Sequence, residues 1–212
     1  MHHHGWRQGA GSLHASTIIL LLPPLIIAFP LSLLVLVVHE IAIGILRSHT
    51  SRGTLILPAE SLHSSTTVAI NKLPSDFIIG TSIATALLST IAALGIWELR
   101  KRDVSSARHQ RIWGWANIFV VLANLGLVTA CTVLVFLAQR DDDRQHISVR
   151  YLDENDAKKW TRETWLCQIK KVNGFGSWPD IGCGFAVASR WMLIPLGACS
   201  LLMAVLCLWQ VL

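Results

Sequence analysis

The chain has 212 residues, of which 52% are hydrophobic and 15% charged, with a formal net charge of +5. A soluble domain carries roughly 25% charged residues, so this balance excludes an ordinary water-soluble globule. Nucleic acid is not the expected partner either, because the basic residues do not gather on one face with interleaved aromatics. They flank apolar stretches, as the orienting charges of membrane helices do.

Four stretches lack Lys, Arg, Asp and Glu altogether: 8–39, 77–97, 112–139 and 191–212. Crossing hydrocarbon as a helix takes about 20 residues at ~1.5 Å rise each. The fold class predicted is therefore all-α, a transmembrane four-helix bundle with a large disulfide-bonded outer loop between its third and fourth spans.

Residues 1–16 are polar and small and read as a disordered tail. His2, His3 and His4 read as an incidental run on it rather than a metal site. The first span lies within 17–46, where Pro23, Pro24 and Pro30 predict kinks or a late helix start. It exceeds the roughly 7 to 15 residues of a signal-peptide core, so an uncleaved anchor fits better.

Residues 47–76 form a first outer loop, and the second span covers 77–97. There Ser82, Ala86, Ser89 and Ala93 fall on one helix stripe, which suits close backbone packing in lipid. The connector 98–111 holds Arg100, Lys101, Arg102, Arg108 and Arg111, the densest positive segment, which assigns it to the cytoplasm. The third span, 112–137, sets Asn117, Asn124 and Cys131 seven apart on one face. Amides in lipid need partners, so this face should look inward, either as interhelical glue or as a polar path.

Residues 138–190 form the large outer loop, and 191–212 the fourth span, with Pro195 in its first turns. Both termini then face the cytoplasm. The two outer loops hold 12 Lys plus Arg against six for the tail and inner loop, but the 53-residue loop keeps most of its charges far from the helix ends. Trp97, Trp113, Trp115 and Trp209 are expected at one membrane interface and Trp191 at the other.

Cys167 and Cys183 are the cysteines outside the spans, both on the side assigned to an oxidising environment, and are predicted to pair. Closing that loop contributes about 3 kcal/mol in the chain-entropy account. Cys131, Cys199 and Cys207 read as apolar filler. The stretch Asp153 to Lys171 reads as an amphipathic helix with Asp153, Asn155 and Asp156 as capping candidates, after which Gly174, Gly176, Pro179 and Gly182 signal turns. Trp160, Trp165 and Trp178 are the candidates for docking a partner.

Asp141, Asp142 and Asp143 lack the second carboxylate group of a magnesium-diphosphate site, since Gln145 and His146 follow. His39 and Glu40 lack the second His of a zinc-protease helix, and there is no phosphate loop, nucleophile elbow or glycosylation acceptor. No catalytic residue, metal or cofactor is assigned. His39, Glu40 and Asp76, near the outer ends of the first two spans, form with Asn117 and Asn124 the candidate intramembrane polar site.

The segment Glu163-Thr164-Trp165-Leu166-Cys167-Gln168, then Cys183, then Ser189-Arg190-Trp191-Met192-Leu193-Ile194-Pro195 resembles a group of uncharacterised fungal four-span proteins. The layout is similar to tetraspanin-like and MARVEL-like topologies. A tetraspanin would show Cys-Cys-Gly where this chain has Gly182-Cys183-Gly184, and a claudin-like protein would carry its cysteines in the first outer loop. The resemblance implies a non-enzymatic membrane organiser that meets lipid, other membrane proteins or its own copies. A transporter or channel subunit, and a membrane component of a biosynthetic pathway, are the alternatives.

Overall fold

The computed structural model describes the backbone of residues 8–50, 54–56, 65–67, 70–101, 107–143, 160–170 and 176–211, with side chains from 25 onward except near the loops and the C-terminus. The elements in order are α1 (Gln8–His49), β1 (Thr54–Ile56), β2 (Ser65–Thr67), β3 (Ile70–Asn71), α2 (Leu73–Lys101), α3 (Ala107–Asp143), β4 (Trp160–Thr161), α4 (Arg162–Ile169) and α5 (Trp178–Val211). Four helices are long and apolar enough to cross a membrane, over Leu25–His49, Leu73–Trp97, Ile112–Arg140 and Trp178–Trp209. This is a multi-pass membrane protein. Phe119, Leu87, Leu94 and Val37 lie exposed on these helices, as lipid-facing residues must.

The helices run past the expected spans, and three differences matter most. α1 begins at Gln8, inside the stretch expected to be a disordered tail, and is helical through Pro23, Pro24 and Pro30. α5 begins at Trp178, not Trp191, so Pro195 lies in the helix interior, 17 residues from its start, where it removes the amide that would bond the Trp191 carbonyl. The local chemistry at 176–180 explains the early start. Gly176 takes φ +71°, a conformation side chains resist, and Pro179 and Asp180 then fall in the first helical turn, where a missing amide and a negative charge are both favoured. Ser177 sits at the cap, its carbonyl accepting from the Ile181 amide at 3.3 Å.

α4 is the third difference. It spans eight residues, and its cap is Thr161, whose Oγ1 accepts from the Thr164 amide at 3.3 Å. The expected caps Asp153, Asn155 and Asp156, like His2, His3 and His4, lie outside the described residues. In the first connector β1 and β2 pair antiparallel, Thr54 opposite Thr67, and β3 pairs parallel with β4, Ile70 opposite Trp160.

The chain packs as two compact units, to each of which α1, α2, α3 and α5 contribute a segment. One comprises Met1–Leu33, Ser82–Thr129 and Ile194–Leu212, and its core is Leu25, Ala28, Ala92, Ile96, Ile118, Val121, Met203, Ala204 and Cys207. The other comprises Leu34–Thr81 and Ala130–Leu193, and its core joins Ala42 and Leu46 of α1 to Trp165, Leu166 and Ile169 of α4 and Ala186 of α5. In this second unit the Cys167–Cys183 disulfide ties α4 to α5, with Cα atoms 4.9 Å apart. Gly182 lets α5 approach α4, because a Cβ there would lie 3.0 Å from Leu166 Cδ2. Lys170 and Asp180 add a surface ion pair at 2.7 Å.

Candidate functional site

In the unit containing residues 82–129, the inward face of α3 is as the heptad spacing requires. Asn124 is buried and its Nδ2 donates to Ser200 Oγ of α5 at 3.1 Å, while Ser200 Oγ donates to the Leu196 carbonyl at 3.0 Å. Asn117 is also buried, and its amide fills the space that a Cβ on Gly95 of α2 would need. Asn124 Oδ1, Thr85 Oγ1 and Ser89 Oγ have no hydrogen-bond partner among the described residues.

Ser82, Ala86 and Ser89 of the predicted packing stripe are buried, whereas Ala93 is half-buried and Ala92 takes the inward place. The buried line follows the seven-residue repeat Ser82, Ser89, Ile96 with Thr85 and Ala92 between, a 3.5-residue seam of the coiled-coil kind.

The second unit holds the larger polar assembly. His39 is 6% exposed, and its Nδ1 lies 3.2 Å from Ser189 Oγ, which donates to the Ala186 carbonyl at 2.8 Å. A hydroxyl donates once, so Nδ1 carries the proton in this arrangement and Nε2 is left as a bare acceptor with no partner among the described residues. Beside it is a cavity of about 30 Å³ whose polar lining is Ser75, Gln139, Thr161, Arg162 and Glu163. Glu163 is held by Arg190, Oε1 to Nη1 3.0 Å, with both side chains at most 14% exposed. The approach lacks the alignment of a hydrogen bond, so it is a Coulombic contact first. Arg190 also lies 5.4 Å from the centroid of the Phe136 ring, which meets Trp191 edge-on.

His39 and Asp76 thus share one unit, and Asn117 and Asn124 belong to the other. Glu40 and Asp76 are exposed, while His39 turns inward one residue away from Glu40. Both carboxylates act on Arg162 through their charge. Burial pushes the Arg162 guanidinium below its ordinary value, Asp76 pulls it back, Arg47 adds to the lowering and Glu40 opposes it.

The tryptophans read as docking candidates differ in burial. Trp165 is buried in the second unit's core, Trp178 stacks on His49 at 4.5 Å between ring centroids, and Trp160 is half-buried in β4. Trp97, Trp115, Trp191 and Trp209 are each more than half exposed, as anchors at a membrane interface would be. Gly95, Ser189, Ser200, Gln139 and Arg162 are participants that sequence reasoning missed. Ser189 and Ser200 lie 11 residues apart, three helical turns, and that spacing of polar residues was the available signal. The chain matches no protein-family model, no curated protein sequence and no solved structure.

Proposed function

We propose that this chain is a non-enzymatic four-span membrane protein that organises or associates with other membrane components, in the manner of the tetraspanin-like and fungal four-span proteins it resembles. The observation that carries the reading is how its intramembrane polar groups are used: Asn124 bonds Ser200, His39 bonds Ser189 and Asn117 packs on Gly95. Each joins one helix to another, which is the gluing role of polar residues in lipid. The cavity beside His39 admits roughly two water-sized occupants, at ~10–15 Å³ each, and is small for an organic substrate.

In this reading the basic segment 98–111 and both termini are cytoplasmic, and the connection from the end of α3 to the start of α5, with the disulfide that ties α4 to α5, lies in the lumen or outside a plasma or secretory-pathway membrane. The second reading, a transporter or channel subunit, is favoured by the unpartnered Thr85 Oγ1, Ser89 Oγ and Asn124 Oδ1. Ion and proton flux into reconstituted liposomes separates the two. The organiser reading expects no flux under any gradient and specific membrane proteins co-isolated in mild detergent. Flux abolished by Asn124→Leu or Asp76→Asn would overturn it.

A further inference from the structure

The cavity beside His39 is lined by groups of both charges, so that Arg162 opposes a cation there and Glu163 opposes an anion. The histidine decides what is left. Its Nδ1 donates to Ser189 Oγ, because that hydroxyl gives its own hydrogen to the Ala186 carbonyl. His39 is more than nine-tenths buried and lines the cavity, and its Nε2 is an acceptor with no partner among the described residues. A buried acceptor left bare costs free energy that a neutral donor in the cavity would recover. Other acceptors nearby are occupied: Thr161 Oγ1 takes the Thr164 amide, Gln139 Oε1 takes the Thr164 hydroxyl and Glu163 is held by Arg190.

A buried water is held by two to four polar partners, whereas here the open His39 acceptor stands beside apolar walls formed by Ile43, Leu46, Ile78 and Val135. That combination suits a hydroxyl carried on carbon. The space of about 30 Å³, at ~10–15 Å³ for each water-sized group, admits a hydroxymethyl end and no ring. The cavity is partly open, and it sits where the α2 span begins, at Ser75, and the α3 span ends, at Gln139, the level at which the polar ends of lipids meet hydrocarbon. We propose that it binds the primary hydroxyl of an uncharged membrane lipid, of the diacylglycerol or ceramide kind. The hydroxyl donates to Nε2 of neutral His39, and the acyl chains stay in the bilayer. No proton is taken up and no covalent bond forms. The site goes beyond the organiser reading and does not depend on it.

The test is thermal unfolding of the full chain in phosphatidylcholine nanodiscs doped with dioleoylglycerol, against discs doped with its O-methyl ether, which keeps both acyl chains and lacks the hydroxyl hydrogen. Wild type should gain Tm saturably with dioleoylglycerol and not with the ether. His39→Asn keeps a donor toward Ser189 and removes the acceptor, so it should weaken the apparent affinity severalfold, up to about tenfold, as loss of one hydrogen bond does. His39→Gln puts an amide oxygen near the place of Nε2 and should keep part of the response. A Lys170→Gln control, paired with Asp180 on the surface, should behave as wild type. Nitrogen NMR of histidine-labelled wild type gives a second readout: the Nε2 resonance, assigned by its loss in His39→Gln, should move upfield with dioleoylglycerol and stay put with the ether. Should His39→Asn fail to fold, the contrast between alcohol and ether in wild type decides. No response of wild type, an equal response to the ether, or an undiminished response in a folded His39→Asn would overturn the site. So would an Nε2 already hydrogen-bonded in phosphatidylcholine alone and indifferent to dioleoylglycerol, which would assign the cavity to water.

Discussion

Asn117 shows how a residue's pattern and its purpose come from different places. Its position on an inward face was legible, because Asn117, Asn124 and Cys131 repeat at seven and lipid does not accept unpaired amides. Gly95, which makes room for it, was not, since nothing local to a helical glycine says what stands opposite. Gly95→Ala is therefore expected to destabilise the protein by about 1–3 kcal/mol, the range for overpacking. Asn117→Ala in the same chain should relieve most of that loss, so the double variant should be more stable than Gly95→Ala alone. Asn124→Leu should cost about 1 kcal/mol, since it removes one interhelical hydrogen bond to Ser200. Chemical or thermal unfolding in detergent, run as a double-mutant cycle, measures both. Additive losses at 95 and 117 would show that the two side chains do not compete for the same space.

Among the elements, the spans were legible and the outer ends were not. Charge-free runs bracket the membrane helices, because a charge is costly in hydrocarbon whatever the tertiary structure. Where a helix continues past the hydrocarbon, that signal is silent: residues 178–190 contain Asp180 and Arg190 and read as loop, yet they are the first turns of α5. Gly182 looked like a turn residue but sits inside the helix, as the flat spot against Leu166. The disulfide depends on both features, for it joins a helix of eight residues to the extramembrane start of a long one. A helix that short has little stability of its own. Replacing Cys167 and Cys183 together by Ser should cost about 2–4 kcal/mol, in line with the ~3 kcal/mol expected for a loop of this length. Thermal unfolding with and without reductant checks it: wild type under reductant should fall to the Tm of the double variant, and that variant should ignore reductant. A double variant as stable as the oxidised wild type would mean that core packing of Trp165, Leu166 and Ile169 suffices to hold α4.

For the whole molecule, the proposed orientation across the bilayer rests on charge and redox chemistry together. Five basic residues within 98–111 resist translocation, since positive charge close to helix ends keeps a short loop cytoplasmic. The disulfide lies on the connection two helix ends away and persists only where thiols are not kept reduced. The two arguments are independent and support the same proposed orientation, in which an even number of spans would place both termini inside. The chain has no Asn-Xaa-Ser/Thr acceptor of its own, so engineered ones report without background. Acceptors placed in the 144–159 segment should be glycosylated in microsomes, and acceptors between Arg102 and Arg108 should not. The disulfide supplies a second readout in the same experiment, because Cys167 and Cys183 should resist a membrane-impermeant maleimide until reductant is added outside intact cells. Glycosylation of the basic segment alone would reverse the orientation. It would also place the disulfide in a reducing compartment, so that crosslinked Cys167–Cys183 peptides should then disappear from non-reduced digests.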